Sequence, residues 1–200
     1  MATYNFPDIT PTNQTFELVT NTRQFQSPTS GAIQTLSRKG SFWKTRMTFS
    51  NLSGDDRAEL QAFIAKMDGQ VHRMRLEDYG YVRRGSATSP QNLLVNGAGQ
   101  TGTTLILDGA TPNVTDFFKA GDYLSFNNEL HMITADADSD GSGDISVFVS
   151  PPIRKATNDD DEVRVFNPLG IFMMTNGPRW NTESTYISSI TIEAIEDVLA

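Results

Sequence analysis

Residues 41–76 have the sequence SFWKTRMTFSNLSGDDRAELQAFIAKMDGQVHRMRL, and this stretch decides the fold. Side chains alternate over its first part, with Trp43, Thr45, Met47 and Phe49 on one side and Lys44, Arg46 and Thr48 on the other. A period of two is typical of a strand that has one face on a core. The sequence therefore predicts a central strand here.

The next segment predicts a helix that begins after Ser53. The Ser53 hydroxyl can accept a hydrogen bond from the first turn, where Asp55 and Asp56 lie at the positive end of the helix dipole. An apolar stripe follows with helical spacing, at Leu60, Phe63, Ile64 and Met67. Gly69 can adopt the left-handed conformation that ends a helix, so the helix should end near Met67.

Two further strands should complete the sheet over which this helix packs. Met74 and Leu76 alternate with arginines after the helix, and a second alternation near the C-terminus involves Ile190, Ile192 and Ala194. The C-terminal strand has no partner near it in the sequence, so we expect it to pair with the first part of the chain. One amphipathic helix packed across such a sheet buries both apolar faces.

Composition narrows the class of protein. The chain has 200 residues, 38% of them hydrophobic, and no cysteine, so its core forms without a disulfide or a thiolate metal site. No window holds eighteen apolar residues in a row, and MATYNFPDIT lacks the basic and apolar regions of a signal peptide. We expect a soluble, unexported chain with no membrane span, and the redox compartment stays open.

The middle of the chain is acidic, whereas the two flanking parts together are neutral. Residues 86–166 contain twelve acidic and four basic side chains, whereas the rest of the chain contains twelve of each. The net charge is −8, and an acidic surface repels nucleic acid, so specific DNA binding is not expected. Solubility is an equally good explanation of the acidity.

The acidic middle of the chain predicts a small closed β-barrel. Leu105 and Leu107 mark one short strand, DYLSFNNELHMITA predicts a hairpin with Asn127 and Asn128 at its tip, and DISVFVSPPI and EVRVFN predict two more strands. Because the flanking segments share one sheet, the barrel should be an insert. The predicted domains are a discontinuous outer domain, residues 1–85 and 167–200, and an inserted acidic β-barrel, residues 86–166.

Near the N-terminus, the Ser, Pro and Gly content of Gln26–Gly31 predicts a loop. The segment AIQTLS then leads to Lys39 and Gly40, where we predict a hairpin turn into the strand that contains Trp43. This interpretation pairs AIQTLS with the central strand.

The sharpest local motif is ADADSDGSGD, residues 135–144. Its aspartates have the spacing of the first half of a calcium-binding loop, in which alternate carboxylates converge on the ion. Position twelve is Val147 rather than the bidentate glutamate of such loops. We therefore weigh a solvated hairpin loop against a calcium site, whose ligands would be Asp136, Asp138, Asp140 and Asp144. No other cofactor is expected.

No sequence pattern favours an enzyme. His72 and His131 are the two histidines, and neither stands near a nucleophile motif. The chain has no GxSxG, P-loop or HExxH motif, and nothing distinguishes one pair of carboxylates from another. We expect a protein without catalytic activity.

Three segments, in this order, carry a family resemblance. They are FWKTRMTFSNLSGDDRAELQAFIAKMDGQVHRMRLEDYGYVRRG, KAGDYLSFNNELHMITA and SSITIEAIEDV, and together with the Gly-rich insert they span nearly the whole chain. The arrangement resembles the distal tail proteins, and the related minor tail proteins, of bacteriophages with long non-contractile tails. It depends on element order and diffuse residue similarity rather than on one invariant motif.

The resemblance implies a split β-barrel or sandwich with one packed helix, like the tail-tube fold, plus an outer β-rich domain. Family members commonly form hexameric rings that join tube to tip, so the expected partners are other copies of this chain, the tail-tube protein and hub or tip proteins. The candidate subunit contacts are the loop Gln26–Gly31 and the outward row Phe42, Lys44, Arg46 and Thr48. DNA would pass through the lumen without specific binding. The protein would be assembled in the host cytoplasm and reside in the virion tail.

Three other functions stay open. The first is a module that binds glycans or the host surface, in which Tyr123, Phe126 or Phe148 would stack on sugars. The second is a tail-tube or tail-completion subunit of the same fold, which would polymerise into tubes rather than stop as a ring. The third is a hydrolase, which would turn over cell-wall or glycan substrates.

Overall fold

A computed structural model describes residues 1–38, 40–86, 91–177, 179–182 and 188–198. The described residues are mainly β, with one helix, α1 (Gly54–Lys66). Their strands are β1 (Thr3–Asn5), β2 (Asn13–Val19), β3 (Thr22–Gln26), β4 (Ile33–Ser37), β5 (Phe42–Ser50), β6 (Arg73–Leu76), β7 (Leu93–Val95), β8 (Gly102–Asp108), β9 (Tyr123–Phe126), β10 (Glu129–Ile133), β11 (Ile145–Ile153), β12 (Glu162–Val163), β13 (Gly170–Met174), β14 (Trp180–Thr182) and β15 (Ser188–Glu196). The predicted class, a mainly β barrel or sandwich with one packed helix, is confirmed. No helix in the described ranges is long and apolar enough to span a bilayer.

Both ends of the chain contribute to a seven-stranded sheet. Its order is β1-β6-β13-β15-β5-β2, and β14 also pairs with β15. The long antiparallel pair of β5 and β15 runs from Ser50 opposite Ser189 to Lys44 opposite Ile195. The prediction that the C-terminal strand pairs with the first part of the chain is therefore confirmed.

Helix α1 packs on this sheet as its sequence predicts. The Ser53 hydroxyl accepts a hydrogen bond from the Asp56 amide at 3.1 Å, and Met67 caps the other end. The predicted stripe is buried in one core with the inward residues of β5, and its members are Leu60, Phe63, Ile64 and Met67. Gly69 has a φ of 64°, the left-handed conformation expected beyond a helix end.

The predicted hairpin turn at Lys39 and Gly40 is wrong. Strand β4 pairs with β3, from Ser37 opposite Thr22 to Ile33 opposite Gln26, and the turn between them falls in the predicted loop. Strand β5 already pairs with β2 along one edge and with β15 along the other, over seven residues each. These pairings are longer than β4 itself and leave no edge of β5 with which β4 could pair. Lys39 lies outside the described residues.

The middle of the chain forms a six-stranded sheet in the order β12-β7-β8-β11-β10-β9. Ser125 of β9 and Arg164, just after β12, exchange backbone hydrogen bonds of 2.8 Å, so the sheet closes on itself like a barrel. The β9–β10 turn has Asn127 and Asn128 at φ values of 48° and 68°, as the hairpin prediction requires. Whether residues 86–166 fold as an independent domain stays a prediction.

The two sheets meet at the β9–β10 hairpin. Tyr123 and Leu130 of this hairpin belong to the core under the seven-stranded sheet, whereas Leu124 and Phe126 belong to the core of the barrel. A Cβ atom on Gly85 would overlap the backbone of the barrel, so a glycine is needed where the chain passes from one sheet to the other. The hairpin therefore has an apolar core on each of its faces.

Candidate functional site

The predicted row of subunit contacts lies on the outer face of β5, and the predicted contact loop Gln26–Gly31 lies at the turn between β3 and β4. Lys44 and Arg46 are exposed, Phe42 and Thr48 are half-buried, and the residues between them face the core. Strands β2 and β15 flank β5, so the four side chains run along the outer sheet face one strand in from its edge. The structure brings the four together in one row, and their contact with another subunit stays a prediction.

Polar and charged groups dominate this outer face. Arg46 Nε lies 3.6 Å from Glu193 Oε1 on β15. The two side chains are 63% and 40% exposed, so solvent screens the pair and it contributes little stability. A groove of about 620 Å³ runs beside this pair and is lined by Arg46, Asn176, Gly177, Arg179, Ser189, Thr191 and Glu193. Such a lining suits contact with another polar protein surface better than capture of an apolar ligand.

The predicted calcium ligands bind different partners. Asp136 accepts hydrogen bonds from the Ala120 amide at 2.8 Å and from the Lys119 ammonium at 3.1 Å. Asp138 accepts from the Asp116 amide at 2.6 Å. These two carboxylates therefore hold the loop against the segment before β9.

The other two predicted ligands act within and beside the loop. Asp140 accepts from the amides of Ser142 and Asp144 at 2.8 and 2.9 Å, and the bond from Asp144 is the main reason that the pKa of Asp140 lies below its ordinary value. Asp144 accepts from the Asn96 side chain at 3.3 Å. Within the described ranges, no three acidic or histidine side chains gather as a metal site requires. Calcium binding stays a prediction.

The two histidines occupy unlike positions. His72 lies just before β6, where its Nδ1 accepts a hydrogen bond from the Ala2 amide at 3.2 Å. His131 is fully buried in β10, and its ring stacks on Phe126. Its Nδ1 lies 2.8 Å from the Pro151 carbonyl oxygen, which can only accept, so Nδ1 carries a proton.

A buried ion cluster joins the two sheets. The Glu196 side chain is fully buried at the end of β15, and the Arg154 guanidinium donates to its two oxygens at 2.7 and 3.0 Å. The amides of Trp43 and Leu130 donate to the same oxygens at 3.1 Å each. Trp43 and Glu196 belong to the seven-stranded sheet, whereas Leu130 lies on β10 of the barrel and Arg154 directly follows β11, so this carboxylate joins the two sheets.

Glu129 supplies a second carboxylate to the ion cluster. It accepts from the backbone amides of Arg154 and Lys155 at 3.2 Å each. His131 Nε2 lies 3.3 Å and Arg154 Nε lies 3.6 Å from its Oε2, and neither contact has hydrogen-bond geometry. Burial alone would raise the pKa of Glu129, but His131 and Arg154 outweigh burial, and the pKa lies below its ordinary value.

Asp122 fixes the segment that connects the two sheets. This buried carboxylate accepts from the amides of Arg84, Gly85 and Lys119 at 2.7, 2.9 and 3.0 Å. The Tyr81 hydroxyl donates to it at 3.3 Å, and burial is the largest reason that the pKa of Tyr81 rises to about 12. Together with the ion cluster, these bonds make the junction a polar but closely bonded interface.

Strands β3 and β4 form an arm that is exposed on both faces. Every residue of β3 is exposed, and so are residues 33–36 of β4. Three of these side chains are large and apolar: Phe25, Ile33 and Leu36, with exposed fractions of 54%, 57% and 46%. A two-stranded hairpin is marginally stable by itself in water, and this one also exposes large apolar side chains.

Sequence reasoning missed the arm and the ion cluster. Glu196 has the same parity as Ile190, Ile192 and Ala194, so the period of two already places it on the core face. This alternation was the sequence signal that the Glu196 carboxylate is buried. The sequence of the arm gave a weaker signal. Both faces of its strands consist mostly of polar side chains, with three isolated apolar ones, so no alternation marks them as strands.

Comparison with known proteins adds no family. No family model matches the chain, and no curated protein matches it. The structural features that bear on function are therefore the arm, the outer face of β5 and the junction between the two sheets.

Proposed function

We propose that this chain is a structural subunit of a bacteriophage tail tip, which forms a ring between the tail tube and the baseplate hub and lets DNA pass. The observation that carries the proposal is the β3–β4 arm. A hairpin with both faces in water gains little from its own pairing, and large apolar groups such as Phe25 and Leu36 favour burial. A ring supplies the missing partner from the next copy.

The junction also supports a mechanical role. A tube or ring that transmits load needs subunits that do not hinge between their parts. The buried pair of Arg154 and Glu196 joins the two sheets, and Asp122 binds the connecting segment by three backbone amides. Such a junction favours one rigid unit over two mobile domains.

The surface charges agree with passage of DNA. Residues 1–85 and 167–200, which the resemblance places in the ring, contain twelve acidic and twelve basic side chains, so a lumen formed by them would have no excess of positive charge to retain phosphates. The open outer face of β5, with Lys44 and Arg46, is a second candidate contact between subunits.

Glycan binding has weaker support. Tyr123 and Phe126 are 5% and 3% exposed, so two of the three candidate stacking rings are occupied by the protein core. Phe148 is half exposed and stands on the outside of the barrel. A sugar-binding platform usually combines several aromatic faces, and this surface offers one.

The test is the mass of the purified protein by light scattering at several concentrations, with negative-stain images of the same sample. We expect rings of one defined size at physiological salt. Long tubes would favour a tail-tube subunit instead. A monodisperse monomer at every concentration would contradict a ring that assembles by itself.

A further inference from the structure

One face of the arm combines an apolar pair with a positive charge. In the register of β3 and β4, Arg23 opposes Leu36 and Phe25 opposes Gln34, so these four residues share a face. Phe25 and Leu36 are therefore diagonal neighbours, at a spacing that large side chains can bridge. We call this the arm face.

A matching pair stands on the outside of the barrel. Ile106 of β8 opposes Ser146 of β11, and Phe148 follows two residues later on the same outward face. Ile106 and Phe148 are 44% and 52% exposed, and they too are diagonal neighbours. Asp108 and Asp144, which are half-buried, follow at the same alternation beyond Ile106 and Ser146, and Asp144 also accepts a hydrogen bond from Asn96. We call this surface the barrel face.

The charges of the two faces are complementary. The sequence from Thr20 to Gly40 contains three basic residues and no acidic one, whereas residues 86–166 have twelve acidic and four basic residues. In the part of the chain that the structure describes, Arg23, Asp108 and Asp144 take part in no ion pair. Each face therefore presents an apolar centre with charges that the other face could neutralise.

We propose that the arm face of one copy of this chain docks on the barrel face of a second copy. This inference rests on the proposed ring and names the contact that builds it. The two faces are different surfaces of one chain, so the contact is head to tail and each copy both gives an arm and receives one. Contacts of this kind close into a ring when the rotation between copies permits.

The experiment uses two full-length variants. Phe25→Asp removes the arm face, and Phe148→Asp removes the barrel face, because each buries a carboxylate in the apolar centre of the contact. By light scattering, each variant alone should have the monomer mass of 22.1 kDa. An equal mixture should give a complex of twice that mass, because one intact arm face meets one intact barrel face.

Two further variants test the face and the charge. Ile33→Asp lies on the opposite face of the arm, so it should assemble like the wild type. Arg23→Glu should weaken assembly about fivefold at low salt, and Asp108→Arg in the same chain should restore it. Circular dichroism checks that every variant retains the wild-type fold.

The outcomes separate this contact from the proposed function. If the wild type forms rings and Phe148→Asp does too, the barrel face is not the acceptor and the inference is overturned while the ring stands. A mixture that stays monomeric also overturns it, as does loss of assembly in Ile33→Asp. If the wild type is monomeric at every concentration, both the ring and the contact fail.

Discussion

The β9–β10 hairpin and the β3–β4 arm are both antiparallel pairs, yet one is buried and the other is exposed. All four residues of β9 are buried, and so are four of the five in β10. Every residue of β3 is exposed. Pairing between two strands therefore does not decide whether a hairpin is buried. A hairpin is buried when each of its faces packs against a hydrophobic core.

Side-chain composition explains the difference between the two hairpins. In β9, Tyr123 faces one core while Leu124 and Phe126 face the other, so each face of the strand has apolar area to bury. In β3, Phe25 is the one large apolar side chain, and the others are Thr, Arg and Gln. The buried hairpin should therefore stabilise the monomer, and the arm should serve contacts outside it.

The largest effect should come from the same substitution in both hairpins. Phe126→Ala should lower the free energy of unfolding by about 3–5 kcal/mol, because it removes a buried ring and leaves a cavity beside His131. Phe25→Ala should change it by less than about 0.5 kcal/mol, since that ring is 54% exposed. Urea denaturation at concentrations where the chain is monomeric measures both. Equal losses would contradict the comparison.

A somewhat smaller effect should follow when the junction loses the Glu196 carboxylate, which binds both Arg154 and the buried hairpin. Glu196→Gln keeps the side-chain volume but leaves Arg154 without its closest countercharge and disturbs the bond from the Leu130 amide. We expect a loss of about 3 kcal/mol in the free energy of unfolding. Glu193→Gln is the matched control on the same strand, because it breaks only the exposed pair with Arg46 and should cost under about 1 kcal/mol. Similar losses in both variants would show that Glu196 does not hold the junction.

Local patterns predicted the elements that build both cores. The alternation around Trp43, the cap at Ser53 and the helical stripe each depend on neighbours within about seven residues, and the structure confirms all three. The turn at Asn127 and Asn128 was also predictable from local sequence, because asparagine tolerates the left-handed backbone angles that such a turn requires.

Partners distant in the sequence were harder to predict. The pairing of β4 with β3 rather than β5 depended on β2 and β15 occupying both edges of β5, and β15 is about 140 residues away from it in the chain. The ion cluster draws on three separate strands, so no local motif contains it. The aspartates of residues 136–144 were the opposite case. A local motif suggested that they converge, but Asp136, Asp138 and Asp144 bind donors from other segments, and Asp140 binds amides of its own loop.

The smallest effect should be a dependence of stability on alkaline pH, to which Tyr123 of the buried hairpin and Tyr81 at the junction contribute. The Tyr123 hydroxyl donates to Asp78 at 3.3 Å, as the Tyr81 hydroxyl does to Asp122, and burial is the largest reason that both tyrosines have a raised pKa. For Tyr81 the pKa rises from 10.0 to about 12. A raised pKa in the folded state contributes stability that is fully present below the unfolded value and is lost as pH rises towards the folded value.

The free energy of unfolding should therefore fall as pH rises from 10 towards 12, and this slope should be shallower in Tyr81→Phe and Tyr123→Phe. Urea titrations at several pH values in this window measure the slope, which is independent of any constant loss from the missing hydroxyl. The arm contains no tyrosine, so Phe25→Ala should keep the wild-type slope and serves as the control. If the Tyr→Phe variants keep the full slope as well, the alkaline sensitivity lies elsewhere, and the junction around β9 is more hydrated than its burial indicates.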